Sequence, residues 1–139
     1  MVERWEPIVT FIVPGRPKPK GRPRFTRKGH AYTPESTRAA ERNVIDLFEL
    51  AAPLWEPTVE DVRLTLDVCF QYGRVADLDN VAKLISDALN GYAYVDDRQV
   101  RKLDVTGFEN AGDSAGVVVS LAIYKGESCV SSAAESTSC

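Results

Sequence analysis

Alternating apolar and polar residues along the chain predict four strands. A strand with one buried face shows this period of two. In the clearest run, residues 62–70, every second residue is apolar, while Arg63, Thr65 and Asp67 alternate with them on a face partly open to water. Three further segments are predicted to be strands: the β-branched and aromatic run at residues 8–13, residues 99–108, and the alternating run at residues 117–124. We expect these four segments to pair into a sheet.

Helical spacing of apolar residues predicts two main helices. Thr33 can cap the first, Pro34 suits its first helical position, and the pattern stops at Pro53. The second helix covers roughly residues 79–90 and ends at an Asn-Gly pair, a common helix terminator. Its expected buried stripe consists of Val81, Leu84, Ile85, Ala88 and Leu89.

The segment between the first strand and the first helix cannot be regular structure throughout. Residues 14–23 contain four prolines and two glycines, which excludes a helix or a central strand there. We expect an extended arm, followed by a loose hairpin around Gly29 over residues 25–32.

The order of these elements predicts a single α+β domain with a mixed β-sheet and two main helices. The domain should cover residues 1–126, with a basic, Pro-rich arm at residues 14–28. The remaining segment, residues 127–139, is mostly Ser, Ala and Glu, so we expect a disordered tail.

Charge is distributed unevenly along the 139 residues. The net charge is −3, but seven of the seventeen basic residues lie between Gly15 and Lys28, and no acidic residue occurs between Pro7 and Pro34. Such a local field attracts phosphates even on an acidic protein. The candidate DNA-binding residues are therefore Arg16, Lys18, Lys20, Arg22, Arg24, Arg27 and Lys28.

Composition also limits where the protein works. No apolar run is long enough to span a bilayer, and Glu3 and Glu6 interrupt any signal-peptide pattern. Three cysteines without a Cys-x-x-Cys spacing give neither a disulfide framework nor a zinc site. We expect a cytoplasmic protein with no membrane partner.

Two acidic pairs carry the candidate chemistry. Asp77 and Asp79 flank an apolar residue where the long strand gives way to the second helix, and Asp96-Asp97 follows that helix. Hard divalent ions such as Mg²⁺ prefer carboxylate and water oxygens. Lys83 lies one turn after Asp79 and could face a phosphate or the charge of a phosphoryl transition state. The two pairs can share an ion only if the chain returns near the start of the helix.

Each of these features also has a simpler interpretation. Asp77 could only cap the helix, Asp79 could be an ordinary first-turn acid, and Asp96-Asp97 could form a solvated turn. Lys83 could pair with Asp87 as a surface ion pair. An EF-hand is excluded because its required oxygen ligand and Gly are missing after Asp77. The single histidine offers no basis for a catalytic triad.

Taken together, three segments resemble the RusA family of Holliday junction resolvases, over about residues 8–124. The first is the basic arm Gly-Arg-Pro-Lys-Pro-Lys-Gly-Arg-Pro-Arg at residues 15–24, and the second is the Tyr-Thr-Pro start of the first helix. The third and most specific is Asp77-Leu-Asp-Asn-x-x-Lys83 with the later Val95-Asp-Asp-Arg-Gln-Val. The chain departs from the family pattern at Val75-Ala76, where members often carry basic residues or Pro.

The resemblance implies a homodimer that cuts four-way DNA junctions by paired, symmetric nicks during recombination and repair. It implies Mg²⁺ as the cofactor, with Mn²⁺ as a possible substitute, held by Asp77, Asp79 and Asp97 and assisted catalytically by Lys83. A compact enzyme of this kind would suit a phage. Two alternatives remain at this point: a non-catalytic binding protein for branched nucleic acid with a structural metal ion, and a restriction-like nuclease. The second lacks its Glu-x-Lys or Asp-x-Lys hallmark.

Overall fold

The computed structural model describes residues 2–21, 24–32, 34–71, 77–109 and 111–128. Within these ranges the chain forms an α+β fold with one four-stranded mixed sheet and two main helices, as predicted. The elements in chain order are β1 (Val2–Pro14), β2 (Arg24–Phe25), β3 (Ala31–Tyr32), α1 (Glu35–Ala51), β4 (Val62–Cys69), α2 (Leu78–Leu89), β5 (Val100–Phe108) and β6 (Gly116–Ser128). Short 3₁₀ helices at Asp97–Gln99 and Gly112–Ser114 precede β5 and β6.

The main sheet has the strand order β1-β6-β4-β5, and β4 provides its most buried strand. Every second residue of β4, from Val62 to Val68, is fully buried, whereas Arg63, Thr65 and Asp67 are half-buried. The predicted alternation is therefore confirmed. The buried residues of β4 join those of α1 and α2 in one apolar core, led by Val44, Phe48, Leu64, Leu66, Val81, Ile85 and Leu89.

The strands β1 and β6 are longer than their sequence patterns suggested. They pair antiparallel from Val2 opposite Ser128 to Pro14 opposite Gly116, so β1 begins six residues before the predicted strand. The first residues of β1 are mostly polar and show no clean alternation. They form a strand because they pair with the end of β6. The expected tail is wrong at its start, because Glu127 still pairs with Glu3. Residues 129–139, the rest of the predicted tail, lie outside the described residues.

Both predicted helices and the hairpin are present with small shifts. The N-cap of α1 is Pro34, not Thr33, so the helix begins one residue later than predicted; Thr33 itself lies outside the described residues. The short strands β2 and β3 form the expected hairpin, in which Gly29 adopts a positive φ of 81°. Among the described residues, no helix has the length and apolar character required to cross a bilayer.

The unit β4–α2–β5 determines where the acidic pairs lie. Its strands are parallel and adjacent, with Val62 opposite Val100, so α2 must run back across the sheet between them. The start of α2 lies at the edge where the strands end, because a Cβ on Gly107 near the end of β5 would come 3.3 Å from the side chain of Leu78. The end of α2 lies at the edge where β4 and β5 begin.

Candidate active site

Asp77 and Asp79 lie at the N-terminal end of α2, where the backbone N–H groups and the helix dipole favour negative charge. One oxygen of Asp77 accepts hydrogen bonds from the backbone N–H groups of Asp79 (3.1 Å) and Asn80 (3.4 Å), and the other accepts from the Asn80 side-chain amide (2.8 Å). Asp77 is therefore the N-cap of α2. Asp79, in the first turn, is exposed.

Lys83 is exposed on the face of α2 that also carries Asp79 and Asp87. The ion pair anticipated between Lys83 and Asp87 does not occur among the ion pairs of the described residues. Asp87 instead accepts a hydrogen bond from the Lys20 ammonium at 2.6 Å. The basic arm thus supplies the cation for Asp87.

The second acidic pair lies in a tight turn just before β5. Asp96 is the N-cap of the 3₁₀ helix and accepts from the backbone N–H of Arg98 at 3.1 Å. We call residues 96–99 the acidic turn. Asp97, its second acid, is exposed. The turn packs against the end of α2, where the buried Tyr94 hydroxyl donates to the Ser86 carbonyl at 2.6 Å.

Gln99 holds the acidic turn in place, a role that sequence reasoning missed. Its side-chain oxygen accepts from the Asp96 N–H at 2.8 Å, and its amide donates to the carbonyls of Thr58 (2.7 Å) and Glu60 (2.8 Å). The sequence did contain a signal for this role. Gln99 follows Asp96 by three residues, which is the spacing of a capping box.

The ionisable groups of the acidic turn change one another's pKa. A hydrogen bond shared with Asp96 raises the pKa of Asp97, and the charges of Asp96 and Asp87 act in the same direction. The backbone N–H of Arg98 lowers the pKa of Asp96, helped by its contact with Asp97. Burial raises the pKa of Tyr94, and the charges of Asp97 and Asp87 add to that effect. The negative charge of Asp97 therefore interacts with that of Asp87, near the end of α2.

The structure does not gather the three predicted metal ligands in one chain. Asp77 and Asp79 lie at the start of α2, whereas Asp97 precedes β5 at the opposite edge of the sheet, where α2 ends. In residues 2–21, 24–32, 34–71, 77–109 and 111–128, no three His, Cys, Asp or Glu side chains are placed to hold a metal ion. The donor chemistry of each acidic pair suits a hard divalent cation. A single chain, however, does not bring enough of these carboxylates together to form a complete set of protein ligands for such an ion.

The basic arm is fastened to both helices at Lys20 and Gly21. The Lys20 backbone N–H donates to the Asn80 carbonyl (2.9 Å), and its ammonium contacts Glu41 of α1 (3.4 Å) as well as Asp87. Burial lowers the pKa of Lys20, but the hydrogen bond to Asp87 and the two negative charges outweigh it and leave the pKa raised. The Gly21 N–H donates to Thr37 at 3.1 Å.

The candidate DNA-binding residues differ in exposure and in how far the structure describes them. Arg16, Lys18, Arg27 and Lys28 are exposed. Arg22 and the side chain of Arg24 lie outside the description. Lys20 is the exception, because its ammonium is already paired with two carboxylates.

An α+β domain with acids at a helix start and a basic arm fastened to the same helix has the features of a nucleic-acid-cutting enzyme. The family model of the endodeoxyribonuclease RusA matches residues 14–122, which is most of the chain. The protein belongs to the RusA family of Holliday junction resolvases and is an endodeoxyribonuclease, a hydrolase. No curated protein matches the chain. Family membership favours the enzyme over the non-catalytic alternative.

Proposed function

We propose that this protein resolves Holliday junctions and related branched DNA by paired, symmetric nicks that depend on Mg²⁺, in DNA recombination and repair. The observation that carries the proposal is the direct attachment of the basic arm to the acidic start of α2, through the Lys20 N–H and the Asn80 carbonyl at 2.9 Å. DNA held by the arm would lie beside Asp79 and Lys83.

Each group has a specific task in this proposal. Arg16, Lys18 and the other exposed arm cations bind backbone phosphates and release counterions, so affinity should fall steeply with salt. Lys83 stabilises charge on the phosphate that is being cut. Asp77, Asp79 and Asp97 would provide the carboxylates for Mg²⁺ or Mn²⁺, brought together only in the assembled protein because one chain holds Asp97 away from the other two. The ion, when bound, would supply an activated water and neutralise phosphate charge.

A homodimer accounts for paired cutting. A four-way junction has approximate two-fold symmetry, and a two-fold dimer offers two equivalent sites to strands of like polarity. A single active site could nick only one strand at a time. We therefore include a two-fold dimer in the proposal, with DNA as its partner.

A nicking assay on a synthetic four-way junction tests the proposal, with linear duplex of the same sequence as the control. We expect paired nicks on the junction in the presence of Mg²⁺ and none on the duplex. Asp79→Asn and Asp97→Asn should abolish nicking while junction binding in a gel-shift assay survives. Equal cutting of duplex and junction, or unchanged cutting by both variants, would contradict the proposed function.

A further inference from the structure

A cavity of about 200 Å³ lies between the basic arm and the two main helices, and we call it the arm cavity. Pockets for drug-sized ligands usually measure about 300–1,000 Å³, so this one suits a smaller group. Its inner wall is aliphatic, which favours a ligand with a largely apolar surface. The residues of that wall are Val13, Val44, Val81, Leu84, Ile85 and Val117.

The arm forms the outer wall of the arm cavity and is fastened at both ends. Gly15, whose positive φ of 92° turns the chain out of β1, donates its N–H to the Ala115 carbonyl at 3.0 Å. Further along, the Lys20 N–H donates to the Asn80 carbonyl, and Pro17 between these two points is buried. The cavity is therefore formed in the unbound protein, and a ligand does not have to order the arm in order to bind.

The mouth of the arm cavity is polar and positively charged. Arg16 and Lys18 line it and are exposed, and within the described part of the chain neither forms an ion pair with a carboxylate. Asn43 of α1 is exposed at the same opening, and its amide can both donate and accept hydrogen bonds. An aliphatic interior with two cations at its mouth matches a ligand whose apolar part is attached to negative charge.

The arm cavity also lies close to the candidate active site. Val81 and Leu84 line it from the first two turns of α2, and the same turns carry Asp79 and Lys83 on their exposed face. A helix with its side chains is about 10 Å across, and nucleotides of one strand follow one another at about 3.4 Å, so the two sites are roughly three nucleotides apart. One DNA strand could therefore occupy both.

An unstacked nucleobase has the properties that the arm cavity requires. Its ring is planar and largely apolar on both faces, its edge is polar, and negatively charged phosphates flank it. Enzymes that take a base out of the stack hold it in a snug pocket and contact its edge by hydrogen bonds. The energy of unstacking is lowest where pairing is already weakened, as at the crossing point of a four-way junction.

We propose that the arm cavity binds one unstacked nucleobase of the DNA strand that passes the acidic start of α2. The flanking phosphates would contact Arg16 and Lys18, and the polar edge of the base would contact the Asn43 amide. The inference rests on the proposed junction-cutting function and adds a contact with one base to the phosphate contacts of the arm.

Junctions that carry the fluorescent base aminopurine at one position each test this inference. Stacking quenches aminopurine in DNA, whereas aliphatic side chains do not. When wild-type protein binds in EDTA, we expect a several-fold rise in emission at one position near the crossing point. Iodide should quench this emission less than that of an aminopurine nucleotide in solution, because the cavity shields the base. A rise at no position, or emission that iodide quenches fully, would overturn the inference.

Substitutions at two exposed alanines of α1 locate the bound base. Ala39→Phe narrows the mouth of the arm cavity, so it should remove the shielded emission and weaken junction binding by about tenfold, as loss of one bound base would. Ala51→Phe is the matched control, because it places the same side chain on α1 away from the cavity lining and should change neither measurement. If Ala39→Phe failed to fold, Ala39→Leu takes its place. Shielded emission that persists in the folded variant would contradict the proposed location.

The use of EDTA separates this inference from the proposed function. The emission measurements need binding but no cutting, so they still decide whether a base enters the arm cavity if the protein fails to nick the junction with Mg²⁺. Conversely, wild-type protein that nicks the junction but shields no base at any position would leave the proposed function intact and refute the base-binding role of the cavity.

Discussion

Gln99 offers a sharp test of how the acidic turn is positioned. Gln99→Glu keeps the shape of the side chain and the oxygen that accepts from the Asp96 N–H. It replaces the amide that donates to the carbonyls of Thr58 (2.7 Å) and Glu60 (2.8 Å) with a second, negatively charged oxygen. Two attractive contacts thus become repulsive ones.

The expected loss of stability follows from these contacts. A hydrogen bond contributes about 0.5–1.5 kcal/mol net, so losing two costs roughly 2 kcal/mol, and repulsion from the carbonyls adds to it. For a domain of this size, about 2–3 kcal/mol corresponds to a melting temperature lower by roughly 6–12 °C. The Thr58 carbonyl retains a bond from the Val95 N–H at 3.2 Å, which limits the loss.

The loss should depend on pH. The new carboxyl faces two carbonyls, so its folded-state pKa lies above the ordinary value of about 4.3. Such a group contributes stability below its unfolded pKa, and this contribution disappears as pH rises through the folded pKa. The deficit relative to wild type should therefore be smallest near pH 4, where the protonated carboxyl can donate to one of the two carbonyls, and complete at pH 7.

Urea unfolding of both proteins at pH 4.5 and pH 7 measures this difference, and a nicking assay measures its effect on the site. Gln99→Met is the matched control, because its uncharged side chain of similar length gives a deficit that does not vary with pH. If Gln99→Glu unfolds at the wild-type midpoint at pH 7, or if its deficit does not shrink in acid, Gln99 does not anchor the acidic turn.

Three further predictions concern the arm and the metal. Lys20→Met should lower the free energy of unfolding by about 1–2 kcal/mol in urea titrations. The reason is that it leaves Asp87 unpaired, and the Asp87 side chain is only 24% exposed. Lys125→Met, at a more exposed ion pair, is the control and should cost less. Arg16→Ala with Lys18→Ala should reduce the slope of log affinity against log salt by about 1.8 in junction-binding titrations; an unchanged slope removes them from the interface. EDTA should abolish nicking but not binding, and added Mg²⁺ or Mn²⁺ should restore it.

The fold was predictable wherever a local pattern determines it. The period of two in β4 and the helical stripe of α2 depend on which face meets the core, and neighbouring residues carry that information. The outer part of β1 was missed because it is stabilised by distant residues. Trp5 packs on Tyr124 with ring centroids 5.2 Å apart, and Arg101 lies 4.1 Å above the Tyr124 ring. No sequence pattern within residues 2–7 predicts these contacts with distant residues.

The composition of the candidate site was predictable, but its arrangement was not. The motifs identify the acids Asp77, Asp79 and Asp97 as residue types suited to a metal, and that assignment stays a prediction. Their separation follows from topology: once β4 and β5 are parallel neighbours, the residues that precede β5 must lie at the edge opposite the start of α2. The antiparallel alternative, in which both pairs lie at one edge, has the same local sequence patterns.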